Sequence, residues 1–366
     1  MRGKFLIPLI AFLIFSRQSI SQDSIRTGSW ITLNVHYGII LPVYTEGMNV
    51  LIKAHVPAIE GDYLFKPTGI QPWQSTFHCA ETGIAFFYAW LGNPIQLGNE
   101  IGVYPFINFH LQRSYRERLY LRTGIGLGYL PIIFNQETNH KNILIGTHLN
   151  TMINIRLTNH YYLSDKLRLE TGFGITHCSN GSFKTPNLGI NLITINTGLS
   201  YCFDGGKAAI VPTLADTSNH KKIVHEFFIA AGASEIEPPG GAQYGAISFS
   251  YTAYHIINPK SKVGGGVDVF YNGSNLAAMK VDSISYSSNL QNIQIGLKVG
   301  YELTIGRLTM PFELGGYLYT KSTGHGHEYN RLGIRYYINE HFIANITLLA
   351  HFASADFVEW GIGYKL

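Results

Sequence analysis

The sequence predicts an all-β, transmembrane antiparallel β-barrel protein of up-and-down topology, with about 16 strands closing as one wide barrel or as two units of about eight. Three observations predict it. Apolar and polar residues alternate with period two in successive runs of about ten residues, the pattern a barrel wall imposes when one face meets lipid and the other the lumen. Only 14% of the 366 residues are Asp, Glu, Lys or Arg, whereas 13% are aromatic and 39 are glycine; a soluble domain carries about twice that charge. The chain also opens on an export signal.

That opening reads MRGKFLIPLIAFLIFSRQSISQ, with a basic start at Arg2 and Lys4, an apolar core from Phe5 to Phe15 and the small residues Ser19 and Ser21 ahead of Gln22. Residues 1–21 are therefore expected to be a signal peptide. Its core is too short to span a bilayer, and no later stretch offers the ~20 apolar residues of a membrane helix. A membrane protein of this composition must close as a barrel, since only helices and barrels satisfy their backbone groups in lipid. No cysteine follows the apolar core to serve as a lipid-anchor site.

From residue 22 to 205 the alternation defines a first barrel region. In Trp30 to Leu41 the odd positions Ile31, Leu33, Val35, Tyr37, Ile39 and Leu41 are apolar, and Thr32, Asn34, His36 and Gly38 alternate with them. The same split runs through Glu100 to Leu111, Leu119 to Leu130 and Ile143 to Leu157, where Gly146, His148, Asn150, Asn154 and Arg156 are placed on one face. Residues 206–223 read as a linker or long loop. The second region, 224–366, continues the pattern at Ile293, Ile295, Leu297, Val299, Tyr301 and Leu303. It ends on Val358, Trp360, Ile362, Tyr364 and Leu366, a final strand of the kind presented to the outer-membrane assembly machinery. The parallel endings GLSYCF and GIGYKL hint at an internal doubling.

Other chemistries are set aside. The +4 formal charge is scattered, with no basic run beyond Lys221 and Lys222, which argues against a nucleic-acid partner. Cys178 and Cys202 fall near opposite ends of one predicted hairpin, too far apart for a disulfide. Gly324 to Glu328, GHGHE, supplies too few ligands for a closed metal site, and no cofactor is implied. Gly124, Gly126 and Gly128 share one strand face and read as small lumen residues rather than a phosphate loop. His351 falls on the polar register and is expected in the lumen.

The strand KLRLETGFGITHCS carries the chemistry. Its odd positions, Leu167 to Ile175, are mostly apolar and continue into His177 and Ser179; the returning strand brings Asn191 to the top of the same outer face. Residues i and i+2 of a strand project together, about 6.6 Å apart, so an imidazole can take the proton of a serine hydroxyl as it attacks an ester. Asn180 and loop N–H groups near Gly181 are candidate oxyanion donors. Cys178 faces the other way and is excluded as the nucleophile.

His177, Ser179 and Asn180, followed by Pro186, Asn187, Gly189 and Asn191, resemble the signature of the lipid A deacylases, or acyloxyacyl hydrolases, of bacterial outer membranes. The resemblance covers about residues 25–205. It implies an eight-stranded barrel in the outer membrane that hydrolyses an ester-linked acyl chain of lipopolysaccharide, or of another outer-leaflet lipid, with a His, a Ser and an acid and without a metal. It carries His177, Ser179 and Asn191 over as catalytic residues and Asn180, Gly181 and Asn187 as oxyanion or substrate residues. Where the family has Glu, this chain has Asn191, which accepts an imidazole N–H but lends no negative charge. Glu170 points into the lumen by parity; Asp356 has the compatible outward parity. The competing expectation is a structural or transport barrel that retains a degenerate motif.

Overall fold

A computed structural model of the chain describes residues 25–26, 28–42, 48–65, 71–113, 117–205, 208–209, 223–281, 289–322, 326–352 and 354–366. The expected signal peptide, most of the expected linker, and Gly324 and His325 of the GHGHE run lie outside the described residues.

The short strands β1 (Ile25–Arg26) and β10 (Ala208–Ala209) pair with each other. Between them lie β2 (Trp30–Ile40), β3 (Val56–Phe65), β4 (Glu81–Trp90), β5 (Asn99–Arg113), β6 (Glu117–Tyr129), β7 (Leu149–Tyr162), β8 (Leu167–Ser179) and β9 (Ile190–Cys202). After them come β11 (Ile223–Glu235), β12 (Gln243–Asn258), β13 (Ser261–Asn272), β14 (Ile293–Ile305), β15 (Leu308–Tyr319), β16 (Glu328–Tyr337), β17 (Phe342–His351) and β18 (Ser354–Lys365). Each set is an antiparallel meander closed on itself, β2 to β9 and β11 to β18. Trp30↔Cys202 through Ile40↔Leu192 seal the first barrel, and Glu226↔Lys365 through Ala231↔Trp360 seal the second. Of the two closures the alternation allowed, the chain adopts two eight-stranded units.

The period-two pattern sorts side chains as expected. In β2, Ile31, Leu33, Val35 and Tyr37 stand 52–64% exposed on the outer wall, while Thr32, Asn34 and His36 are buried inside. One expected run is shorter than its alternation: β7 begins only at Leu149, so Gly146 and His148 belong to the preceding loop. A Cβ at Gly146 would lie 2.8 Å from the Thr185 carbonyl oxygen, and this close approach of two loops is what its glycine allows.

Buried ion pairs cross both lumens. In the first, Glu60 accepts from Arg156 (2.6 Å), Arg122 (3.1 Å) and the Tyr104 hydroxyl, and Asp62 accepts from Arg122 (2.8 Å). In the second, Arg331 reaches Glu359 (2.6 Å), Glu313 (2.7 Å) and Asp268 (3.1 Å), and Glu313 also takes Lys298 (2.7 Å) and Arg335 (2.9 Å). An eight-stranded barrel has just enough interior for its own side chains, and here they meet as charge-assisted hydrogen bonds. Arg122→Met is expected to destabilise the first barrel by about 3–5 kcal/mol by leaving two buried carboxylates underpaired, read as a lower denaturant midpoint for its unfolding.

Connections are longest at one end. There lie 41–55, 91–98, 130–148 and 180–189 in the first barrel and 236–242, 273–292 and 320–327 in the second, with 352–353 as its short exception; the opposite end has 114–116, 163–166, 259–260, 306–307 and 338–341, with 66–80 as its long exception. The barrels touch at both ends. The 180–189 loop meets the loop-end tips of β11 and β18, and Phe77, Ala80 and Ile107 pack with Leu303 and Ile305 at the other end. β8, which runs into the 180–189 loop, and β11, which runs toward Glu235, therefore point the same way, and the two long-loop ends lie on one side of the molecule.

Candidate active site

β8 delivers His177 and Ser179 to the outer rim at the long-loop end, because their inward neighbours Thr176 and Cys178 are buried in the lumen. Asn191 is the cross-strand partner of His177 on β9, and the N–H of Leu41 holds the Asn191 carbonyl at 2.7 Å. The three polar side chains meet. His177 Nε2 lies 2.8 Å from Ser179 Oγ, and Nδ1 lies 2.8 Å from Asn191 Oδ1. Since an amide oxygen only accepts, Nδ1 carries the proton and Nε2 is left to accept the serine hydroxyl. This is the tautomer a general base requires.

The loop between the strands is built around two asparagines. Asn180 Nδ2 donates to the Lys184 carbonyl (2.9 Å), and Asn180 Oδ1 takes the Lys184 N–H (3.4 Å). The Asn180 backbone N–H donates to Asn187 Oδ1 at 3.0 Å. Asn180, expected as an oxyanion donor, is thus buried and spends its side chain closing the turn. Asn187 is half-buried; with Oδ1 anchored, its Nδ2 donor end faces the other way.

Gly181, Ser182 and Gly189 take left-handed backbone conformations, with φ of 64°, 65° and 74°. At Gly189 the glycine is also a matter of room: a Cβ there would sit 2.9 Å from His177 Cε1 and 3.4 Å from Ser179 Cβ. The Gly189 N–H is held by the Leu144 carbonyl at 3.0 Å, so the backbone has little freedom to retreat. Gly189→Ala is expected to displace the imidazole and cut turnover by about 10²-fold, the scale of an ångström-sized misplacement, at a cost of about 1–2 kcal/mol for an alanine in left-handed backbone. Kinetics and denaturant unfolding of the variant test this together. At Gly181 the constraint differs, because a Cβ there would meet Val358 of the second barrel at 2.5 Å.

The remaining candidates separate from the site. Glu170 lies in the first lumen, bonded to Arg168 (2.9–3.0 Å) and Ser200. Asp356 departs from its outward parity: β18 is bulged between the pairs Leu349↔Phe357 and Ala350↔Ala355, and the extra residue turns into the second lumen, where Asn272 Nδ2 donates to it at 2.9 Å. His351 is in that lumen as its register predicted, 3.0 Å from the Tyr317 hydroxyl. Cys79, Cys178 and Cys202 are free and buried. Alternation did not point to Thr185, Ser182 or Glu235, which tie the 180–189 loop to the second barrel; the one local signal is Glu235, a charge that closes an otherwise uncharged run after Glu226.

Two family models match the sequence. Lipid A 3-O-deacylase (PagL) matches residues 58–200, and Acyloxyacyl hydrolase, C-terminal domain, matches residues 223–366. No curated protein matches it. Among solved structures, Neisserial surface protein A (NspA) aligns with 48% of this chain and 98% of its own at 8% identity and a TM-score of 0.34. A mutant porin of Rh. blastica aligns with 92% of this chain and 99% of its own at 10% identity and a TM-score of 0.18. At these scores neither likeness bears on what the site does.

Proposed function

The chain belongs to the lipid A 3-O-deacylase (PagL) family, whose models fall on both barrels, and from this premise we propose that it removes an ester-linked acyl chain from lipid A in the outer leaflet of the outer membrane. The family description points to the 3-O ester. One observation carries the reading: His177 bridges Ser179 and Asn191 at hydrogen-bond distance on both sides, on the apolar outside of the barrel rather than in its lumen. An outward dyad at the rim meets a lipid ester where the acyl chain enters the bilayer.

The chemistry follows. Ser179 Oγ attacks the ester carbonyl as His177 Nε2 takes its proton, and the tetrahedral oxyanion forms beside the Asn187 amide and the loop N–H groups. The imidazolium returns that proton to the sugar oxygen as the C–O bond breaks, leaving an acyl-serine. Water then attacks the acyl-serine with His177 again as base, the proton passes back to Ser179 Oγ, and the fatty acid leaves. Asn191 keeps the imidazole in register throughout. The wall around the site agrees with a bilayer setting: Phe173, Ile175 and Ile195, below the dyad on β8 and β9, are 46–65% exposed, suited to hydrocarbon.

The alternative of a transport barrel is disfavoured by lumens filled with buried ion pairs. Mass spectrometry of lipid A from outer membranes with and without the protein tests the reading. The expected product is lighter by one acyl group with its phosphates intact; an unaltered lipid A would overturn the assignment.

A further inference from the structure

The second barrel has no counterpart to the dyad among the described residues, yet it meets the catalytic loop at residue after residue. Ser182 Oγ donates to the Ala355 carbonyl at 2.8 Å, and the Glu235 N–H donates to the Ser182 carbonyl at 3.0 Å. Thr185 Oγ1 donates to Glu235 Oε1 at 3.1 Å, and Gln243 Nε2 to the Phe183 carbonyl at 2.9 Å. Gly181, in left-handed backbone, is pressed against Val358, whose Cγ2 would lie 2.5 Å from a Cβ at this position. Thr185 and Glu235 are 8% and 5% exposed, so their bond is shielded from competing water. Glu235 Oε1 also takes the N–H groups of Gly240 (2.6 Å) and Gly241 (3.2 Å), which ties the clamped loop to the second barrel's own first hairpin.

We propose that the second barrel is a built-in clamp for the catalytic loop, and that Glu235 is the positioning residue at its centre. This rests on the deacylase reading for its catalytic consequence, though not for its structural one. The loop runs from Ser179 to Asn191, so its two feet are the nucleophile and the partner of the base, and Asn187 lies between them. A loop of this length, held only at its feet, samples many conformations at a membrane surface. Bonds to Ser182, Phe183 and Thr185 fix its tip on a ledge that cannot drift, because the barrels are also packed together at their opposite ends through Phe77, Ile107, Leu303 and Ile305. The ordering is then complete before substrate arrives, which favours turnover rather than affinity.

Lys184, exposed at the tip, provides the readout. Limited trypsinolysis of the full-length protein in detergent micelles, followed by mass spectrometry, measures cleavage of the Lys184–Thr185 bond; heat-resistant gel migration reports whether the barrels remain folded. Ser182→Ala combined with Thr185→Val deletes the two side-chain donors that the loop sends to the second barrel, leaving the Gln243 donor and the Glu235 hairpin in place. It is expected to speed cleavage about tenfold, as losing two hydrogen bonds predicts, and to lower kcat on lipopolysaccharide by a similar factor with KM within about twofold. Glu235→Ala is expected to act likewise. Glu235→Gln, whose amide oxygen can take the same three donors, is expected to restore both readouts. Unchanged cleavage in the double variant, or faster cleavage with kcat unaltered, would overturn the clamp. A wild type that releases no fatty acid would instead defeat the deacylase reading, and the cleavage rates alone would then decide whether the loop is clamped.

Discussion

Ser179→Ala and His177→Ala are each expected to lower fatty-acid release from purified lipopolysaccharide by about 10²–10⁴-fold, and the double variant to fall no further. In the proposed mechanism nucleophile and base act as one unit. Without the hydroxyl there is nothing for His177 to deprotonate, and without the imidazole the serine keeps its proton at neutral pH, so either loss removes the same step. The range sits below the ~10⁶ of a triad with a charged third member, because the Asn191 amide cannot offset the charge of the imidazolium. Stability should be almost untouched. Both side chains stand half-exposed on the outer rim, and neither belongs to the Glu60–Arg122–Arg156 cluster inside the first barrel. Heat-resistant migration should therefore match wild type in all three variants, separating a chemical defect from a folding one. Equal release from wild type and variants would remove Ser179 and His177 from the mechanism.

The wall of this molecule was legible because a barrel strand has only two faces. Ile31 and Thr32, or Ile175 and Thr176, could be assigned outward and inward from parity alone, and the same rule set His177, Ser179 and Asn191 on one side of one hairpin. Parity is local, and what it missed is not. Whether β9 returns to β2 or feeds a wider sheet depends on pairings such as Trp30↔Cys202, between residues far apart in sequence with no signature in either strand. Asp356 was misplaced because it is itself the extra residue of a bulge, which breaks the alternation at that position. Asn180 was read as a donor because its neighbours were the candidate nucleophile and base, whereas short polar side chains after a strand most often bond to their own turn, as it does with Lys184. The contact of Thr185 with Glu235 joins two domains through a side chain each; nothing in either segment announces the other.

Asn191→Glu, which supplies the acid that the sequence resemblance leads one to expect at this position, is expected to raise kcat by about 10–10³-fold while leaving KM unchanged. The split follows from when the charge matters. In the resting site the imidazole is neutral and the Asn191 carbonyl already accepts its Nδ1–H at 2.8 Å, so orientation and substrate binding gain little. Once Ser179 has passed its proton to Nε2 the ring is cationic, and only then does a carboxylate at this position stabilise it more than an amide does. Charge-assisted hydrogen bonds are about twice as strong as neutral ones, and a carboxylate, unlike an amide, has no N–H end that could flip toward Nδ1 and impose the wrong tautomer. Asn191 is partly exposed and faces outward at the rim, so a longer side chain does not have to enter the packed lumen. Asn191→Asp, isosteric with the amide whose oxygen already lies 2.8 Å from Nδ1, changes charge without changing reach: it is expected to raise kcat as well, and a gain from Glu alone would mean that the charge must sit one methylene farther out. If neither acid raised kcat, the amide would have to be sufficient for this loop or another group would have to supply the charge. Glu170 and Asp356 could not be that group without leaving the lumens that now hold them.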